Sequence, residues 1–162
     1  MIGHPNGEQP YGASIPKSTE EILSPERAAR GDVRLYVTFV GADSAVYGDV
    51  LGPMEMRILL ASARGQEGLV DPAVLGWGGD RFELYDTPAG EALVWIAVFD
   101  NKIARDRAAA ALAHWPAARA GYRTDLAELE VSGKAGLRLA IAPSRWSGWS
   151  HLPTATATTG TR

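Results

Sequence analysis

Apolar residues alternate with polar ones through Val33, Leu35, Val37 and Phe39, a period of two that predicts a strand over 33–40 with one buried face. The pattern then changes. After a turn at Gly41–Ser44, residues 45–50 are compatible with a second short strand or with a loop, and Met56, Leu59, Leu60 and Ala63 recur at helical spacing. Pro53 suits a first turn and Gly65 a stop, so a helix is expected over 53–63. Phe82–Tyr85 and Ala92–Phe99 read as two strands flanking Asp86–Glu91, a connection longer than two residues. The second of them is apolar at consecutive positions, which predicts a central strand covered on both faces.

Asp100 or Asn101 is placed to cap a helix from Lys102 to about Trp115, with Ile103, Arg107, Ala110, Ala111 and Leu112 near one stripe and Pro116 beyond it. Leu126–Ser132 and Leu137–Ala142 are strand candidates joined by a turn at Gly133–Gly136. Ahead of these elements, Ser18 or Thr19 can cap a short helix that Pro25 interrupts, and Asp71-Pro72 can open another over 73–75. The whole predicts an α+β single domain: an antiparallel or mixed sheet of four to six strands with two main helices packed on it. Residues 1–17, rich in proline and glycine, read as an extended N-terminal arm, 18–143 as the globular domain, and 144–162 as a flexible tail rich in Ser and Thr.

One stretch stands out from the periodic elements. Leu75-Gly76-Trp77-Gly78-Gly79-Asp80-Arg81 sets three glycines around a tryptophan, a combination that suits positive φ or close backbone approach. It reads as a structural corner leading into the central hairpin. Asp80 and Arg81 form a candidate ligand site, but a structural role is preferred, with the aspartate accepting backbone N–H groups and the arginine pairing nearby.

Composition narrows the chemistry. A net charge of −3 over 162 residues, with both signs scattered, offers no basic stripe for nucleic acid. There is no cysteine, which removes disulfides, thiolate metal sites and cysteine nucleophiles. His4, His114 and His151 lack metal-ligand spacing, Gly133-Lys134-Ala135-Gly136 is too short for a phosphate loop, and no serine sits in a nucleophile elbow, so neither catalysis, a cofactor nor a metal is expected. No apolar run is long enough to span a bilayer, and Met1–Tyr11 carries no apolar segment of a secretory signal. Tyr11, Trp146 and Trp149 are the candidate partner anchors. The two tryptophans sit in a segment otherwise too small and polar to bury itself, and either pack back on the domain or dock on another protein.

The blocks Ser18-Thr19-Glu20-Glu21-Ile22-Leu23-Ser24-Pro25-Glu26-Arg27, Leu51-Gly52-Pro53 through Leu60, Gly76-Trp77-Gly78-Gly79-Asp80-Arg81 and Leu93–Asp100 occur in this order. In this the chain resembles, over residues 15–142, a domain of bacterial extracytoplasmic, lipoprotein-like proteins in which a zinc-metallopeptidase-like region with a His-Glu-x-x-His helix precedes such blocks. Ser24 stands where those relatives carry histidine, and Phe99 where they carry tryptophan. The resemblance implies an appended domain with no catalytic residue and an extracytoplasmic location. The expected function is a non-catalytic protein-binding or scaffold module, an accessory subunit bound to other proteins, with peripheral association to a membrane complex allowed. The alternatives are a separated part of a metallopeptidase-like system, or a small-ligand domain with its pocket near Trp77 and Arg81.

Overall fold

The computed structural model describes residues 34–41, 44–63, 76–113 and 119–159. The expected N-terminal arm with Tyr11, the helix after Ser18, the short helix after Asp71, His4 and His114 lie outside them.

Two helices and seven strands are present among the described residues, and every strand pairing is antiparallel, which makes the fold α+β. The strands are β1 (Leu35–Val40), β2 (Tyr47–Asp49), β3 (Trp77–Thr87), β4 (Gly90–Phe99), β5 (Tyr122–Val131), β6 (Lys134–Pro143) and β7 (Thr154–Thr159). Helix α1 spans Gly52–Ala63 and helix α2 Lys102–Leu112. Five strands form the main sheet in the order β2-β3-β4-β6-β5, while β1 and β7 pair in a separate two-stranded ribbon.

The central position expected for the apolar strand is that of β4, whose two faces feed two different cores. Trp95, Ala97 and Phe99 point toward the helices and join Met56 and Leu60 of α1 and Ala108 and Leu112 of α2. Val94, Ile96 and Val98 point the other way and meet Leu35 and Val37 of β1 and Ala155 of β7. A strand with both faces covered has no reason to alternate, and this one does not.

Helix α1 buries Met56, Leu60 and Ala63 as its spacing predicts. Helix α2 begins at the expected cap, where Asn101 Oδ1 accepts the N–H of Ala104 at 3.0 Å. Its buried stripe differs from expectation: Ala104, Arg105, Ala108, Ala111 and Leu112 face inward, and Ile103 is 65% exposed. The sheet side of this core already holds Trp77, Trp95 and Phe99, so the helix approaches with small residues, and the larger isoleucine is left outside. Arg105 is buried at the rim, paired with Asp106 at 2.6 Å and with Glu128 of β5 at 2.8 Å.

Both hairpins are tighter than their composition suggests. Strands β3 and β4 pair through Thr87 and Gly90, leaving a two-residue turn at Pro88-Ala89, and Thr87 Oγ1 donates to the carbonyl of Gly90. Strands β5 and β6 pair through Val131 and Lys134 across Ser132-Gly133, both at positive φ (50° and 77°), the twist-matched geometry of a two-residue hairpin.

Residues 144–159 are not a flexible tail. A 3-10 turn at Ser147–Ser150 leads into β7, which pairs along its whole length with β1, from Leu35 opposite Thr159 to Val40 opposite Thr154. Composition hid this strand because its inward side chains are only Ala155 and Ala157, and its hold comes from the backbone ladder.

Candidate functional site

From Trp77 to Arg81 the block lies inside the sheet, with Gly76 just ahead of it. Trp77 opens β3, and the pairing with β4 shifts register between Trp77 and Gly79, a bulge that inserts Gly78. Trp77 opposite Phe99 and Asp80 opposite Ala97 therefore lie on the same, helix-facing side of the sheet, although they are three residues apart. In an unbroken strand they would face opposite ways.

This places Asp80 at the centre of a buried cluster. Its Oδ1 accepts the indole N–H of Trp77 at 3.0 Å and the backbone N–H of Gly52 at 2.9 Å. Its Oδ2 accepts the indole N–H of Trp95 at 3.0 Å and the backbone N–H of Leu51 at 2.8 Å. Two donors on each oxygen fill the acceptor sites of a carboxylate. The residue is 1% exposed, and two of its donors belong to the start of α1, so a side chain from the sheet does the work of a helix cap.

The glycines serve close approach. None of Gly76, Gly78 and Gly79 has positive φ, in contrast to Gly52 at +80°. A Cβ on Gly79 would overlap the carbonyl oxygen of Leu35, where β1 crosses the sheet, and one on Gly76 would overlap the Cβ of Ala104 on α2. Gly78 is roomier, with Val98 O at 3.4 Å as its nearest contact.

Arg81 does not act with Asp80. It points to the opposite face of β3, where its Nε donates to Glu83 Oε1 at 2.9 Å, and Glu83 Oε2 accepts the Tyr85 hydroxyl at 2.8 Å. The Tyr85 ring lies 5.8 Å from that of Trp146, which meets Trp149 edge-on at 5.7 Å. Trp149 donates its indole N–H to the carbonyl of Pro143 at 2.8 Å and carries the Arg123 guanidinium over its ring at 4.5 Å. The two candidate anchors thus pack back on the ribbon-side core. A single line of side chains, Arg81 to Arg123, joins them to the block they were read apart from.

A further polar and aromatic group gathers at the β1 and β2 side of the sheet, where the sequence suggests no site. Arg34, just before β1, sets its guanidinium 5.6 Å from the Tyr36 ring and 5.9 Å from the Trp77 ring. In β2, the Tyr47 hydroxyl donates to Asp49 Oδ2 at 3.0 Å and its ring lies 5.9 Å from Phe82. Asp49 is held below the usual carboxylate range by the backbone N–H of Val50, then by Tyr47, with Arg81 and Arg34 adding electrostatic attraction. The same hydrogen bond and negative charge push the Tyr47 phenol upward. Tyr36, Tyr47 and Val46 are exposed by 55%, 52% and 67%. Arginines among tyrosines are weak sequence signals, because only the fold brings positions 34, 36, 47, 49 and 81 to one place.

Among the described residues no cluster of His, Asp and Glu could hold a metal ion, and His151 instead shares a hydrogen bond of 2.8 Å with Ser150 Oγ. No described helix is long and apolar enough to cross a membrane. No known family model, curated protein or solved structure matches the chain.

Proposed function

We propose that this protein is a non-catalytic protein-binding or scaffold module, an accessory subunit of a larger assembly. The observation that carries this reading is the contrast between its two polar centres. The Trp77–Asp80 cluster is closed, because each carboxylate oxygen already accepts two N–H groups and the side chain is buried. A general base or ligand-binding carboxylate needs a free acceptor site facing its substrate. Large apolar and aromatic groups are instead presented outward at Tyr36, Val46 and Tyr47, with the Arg34 guanidinium against the Tyr36 ring, and aromatic residues and arginine are enriched in protein interfaces. What supports an extracytoplasmic setting is the resemblance carried by the four ordered sequence blocks, of which Gly-Trp-Gly-Gly-Asp-Arg is the most specific.

The test is mild isolation of the native protein together with whatever accompanies it, followed by the same isolation of a Tyr36→Ser/Tyr47→Ser variant. The expected result is a stoichiometric companion protein that the variant loses while remaining folded, with a cooperative unfolding transition. A native protein that comes alone, or a companion retained by the variant, contradicts the reading of this surface. The small-ligand alternative predicts a soaked ligand on Asp80, which requires Trp77 or Trp95 to give up its indole hydrogen bond.

A further inference from the structure

Arg34 differs from the other well-packed arginines in its surroundings. Arg81, Arg105 and Arg138 each have a carboxylate partner, at 2.9, 2.6 and 3.3 Å respectively. Arg34 is half-buried against the rings of Tyr36 and Trp77 with no carboxylate paired to it among the described residues, and its Nε, like that of Arg138, is buried without a hydrogen-bond partner among them. Cation–π contact with two rings restricts the side chain, so less freedom remains to be lost when an anion binds. A guanidinium whose Nε–H is desolvated and unmatched gains more from a carboxylate than a fully hydrated one does.

We infer that Arg34, with the exposed Tyr36 ring against its guanidinium, is the docking point for an acidic segment of a partner protein, one carrying a carboxylate next to an apolar side chain. The inference rests on the binding-module reading and names the chemistry of its partner. The carboxylate meets the Arg34 fork, and the neighbouring apolar group covers Tyr36 or the exposed pair Val46 and Tyr47. Asp49 sets the limit on charge at this surface. Held ionised by Val50, Tyr47 and the two arginines, it leaves room for one or two carboxylates but repels a polyanion, and a chain of net charge −3 gives no further attraction to phosphodiesters.

The probe is a fluorescein-labelled hexapeptide, Leu-Glu-Ser-Leu-Glu-Ser, amidated at its C-terminus, titrated with the full chain at low ionic strength and read by anisotropy. Its counterpart with every Glu replaced by Gln and a single-stranded oligonucleotide of similar length serve as comparisons. Saturable binding of the acidic peptide is expected, weakened about tenfold or more by the glutamine replacement, as loss of a charge-assisted pair implies. Arg34→Gln should lose about the same factor, and Arg34→Lys most of it, because an ammonium keeps the charge without the stacked fork. Arg119→Gln should bind as the parent does.

Absence of saturable binding, equal binding of the glutamine peptide, no effect of Arg34→Gln, or tighter binding of the oligonucleotide each overturns the inference. The native companion separates this from the broader reading. A companion lost by Tyr36→Ser/Tyr47→Ser but kept by Arg34→Gln leaves the binding module standing and removes the acidic segment. One kept by both removes this surface altogether.

Discussion

Trp95 on β4 donates its indole N–H to Asp80 on β3 at 3.0 Å, reaching diagonally past Phe82, its direct partner in the ladder. The bond ties the central strand to the carboxylate that also holds the first turn of α1. Asp80→Ala leaves two indole and two backbone N–H groups without their acceptor, so a loss of about 3 kcal/mol or more is expected. Asp80→Asn keeps one acceptor oxygen but turns an amino group toward two donors, and about 2 kcal/mol is expected from that mismatch. Denaturant unfolding followed by tryptophan fluorescence measures both, and parental midpoints would show that the cluster carries no stability.

The glycines on either side of the bulge differ in tolerance. Gly79→Ala drives a methyl into the carbonyl of Leu35 and should force β1 off the sheet, costing about 2 kcal/mol or more, as overpacking against backbone does. Gly78→Ala meets only ordinary contacts and should cost less than about 1 kcal/mol. The comparison is made by thermal unfolding of the two variants side by side. Equal effects would mean that the close approach of β1 is not what requires glycine here.

Strand β7 covers one side of the ribbon-side core, so its removal should be felt in the folded state. A chain ending at Pro153 loses the ladder partner of Leu35, Val37 and Phe39 and should unfold at lower denaturant while binding a hydrophobic dye. A tail without structure would leave the midpoint and the dye signal unchanged.

The Tyr47–Asp49 pair has opposite dependences at the two ends of the pH scale. Asp49 has its pKa lowered from 3.8, so its contribution is present above that value and disappears as pH falls through the lower folded pKa. Tyr47 has its pKa raised from 10.0, so its contribution is present below that value and disappears as pH rises through the higher folded pKa. Carbon-labelled tyrosine followed by NMR should show the Tyr47 phenol, identified by its loss in Tyr47→Phe, titrating above 10.0 and shifted back toward 10.0 in Asp49→Asn. An Asp49→Asn spectrum identical to the parent would break the link.

Side-chain periodicity made part of this architecture legible. The unalternating apolar run of β4, the Met56–Leu60 stripe of α1 and the Asn101 cap each follow from residues a few positions apart. What escaped depends on relationships that periodicity does not encode. The buried face of α2 follows the complement of its alanines to the indoles opposite. Strand β7 is held by backbone pairing behind two small residues, so its Thr and Ala composition imitates a linker.

The candidate site divided in the same way. Aspartate accepting backbone N–H groups was a reasonable expectation for Asp80, yet nothing local points to Trp95, fifteen positions away, as its partner. The bulge at Gly78 decides which face Trp77 occupies, and a strand pattern read by alternation places it on the wrong side. Arg34 and Asp49 carry no shared motif and come near each other only because β1 crosses β3 beside the short β2.

The pairing of Leu35 with Thr159 brings the first and last residues of the β1–β7 ribbon side by side. Tension applied to the chain at these two points pulls neighbours apart across the ladder, so the bonds open one after another from that end. Loaded in this direction the ribbon behaves as a zipper, yielding one bond at a time and uncovering Leu35, then Val37, then Phe39, before the load reaches the five-stranded sheet.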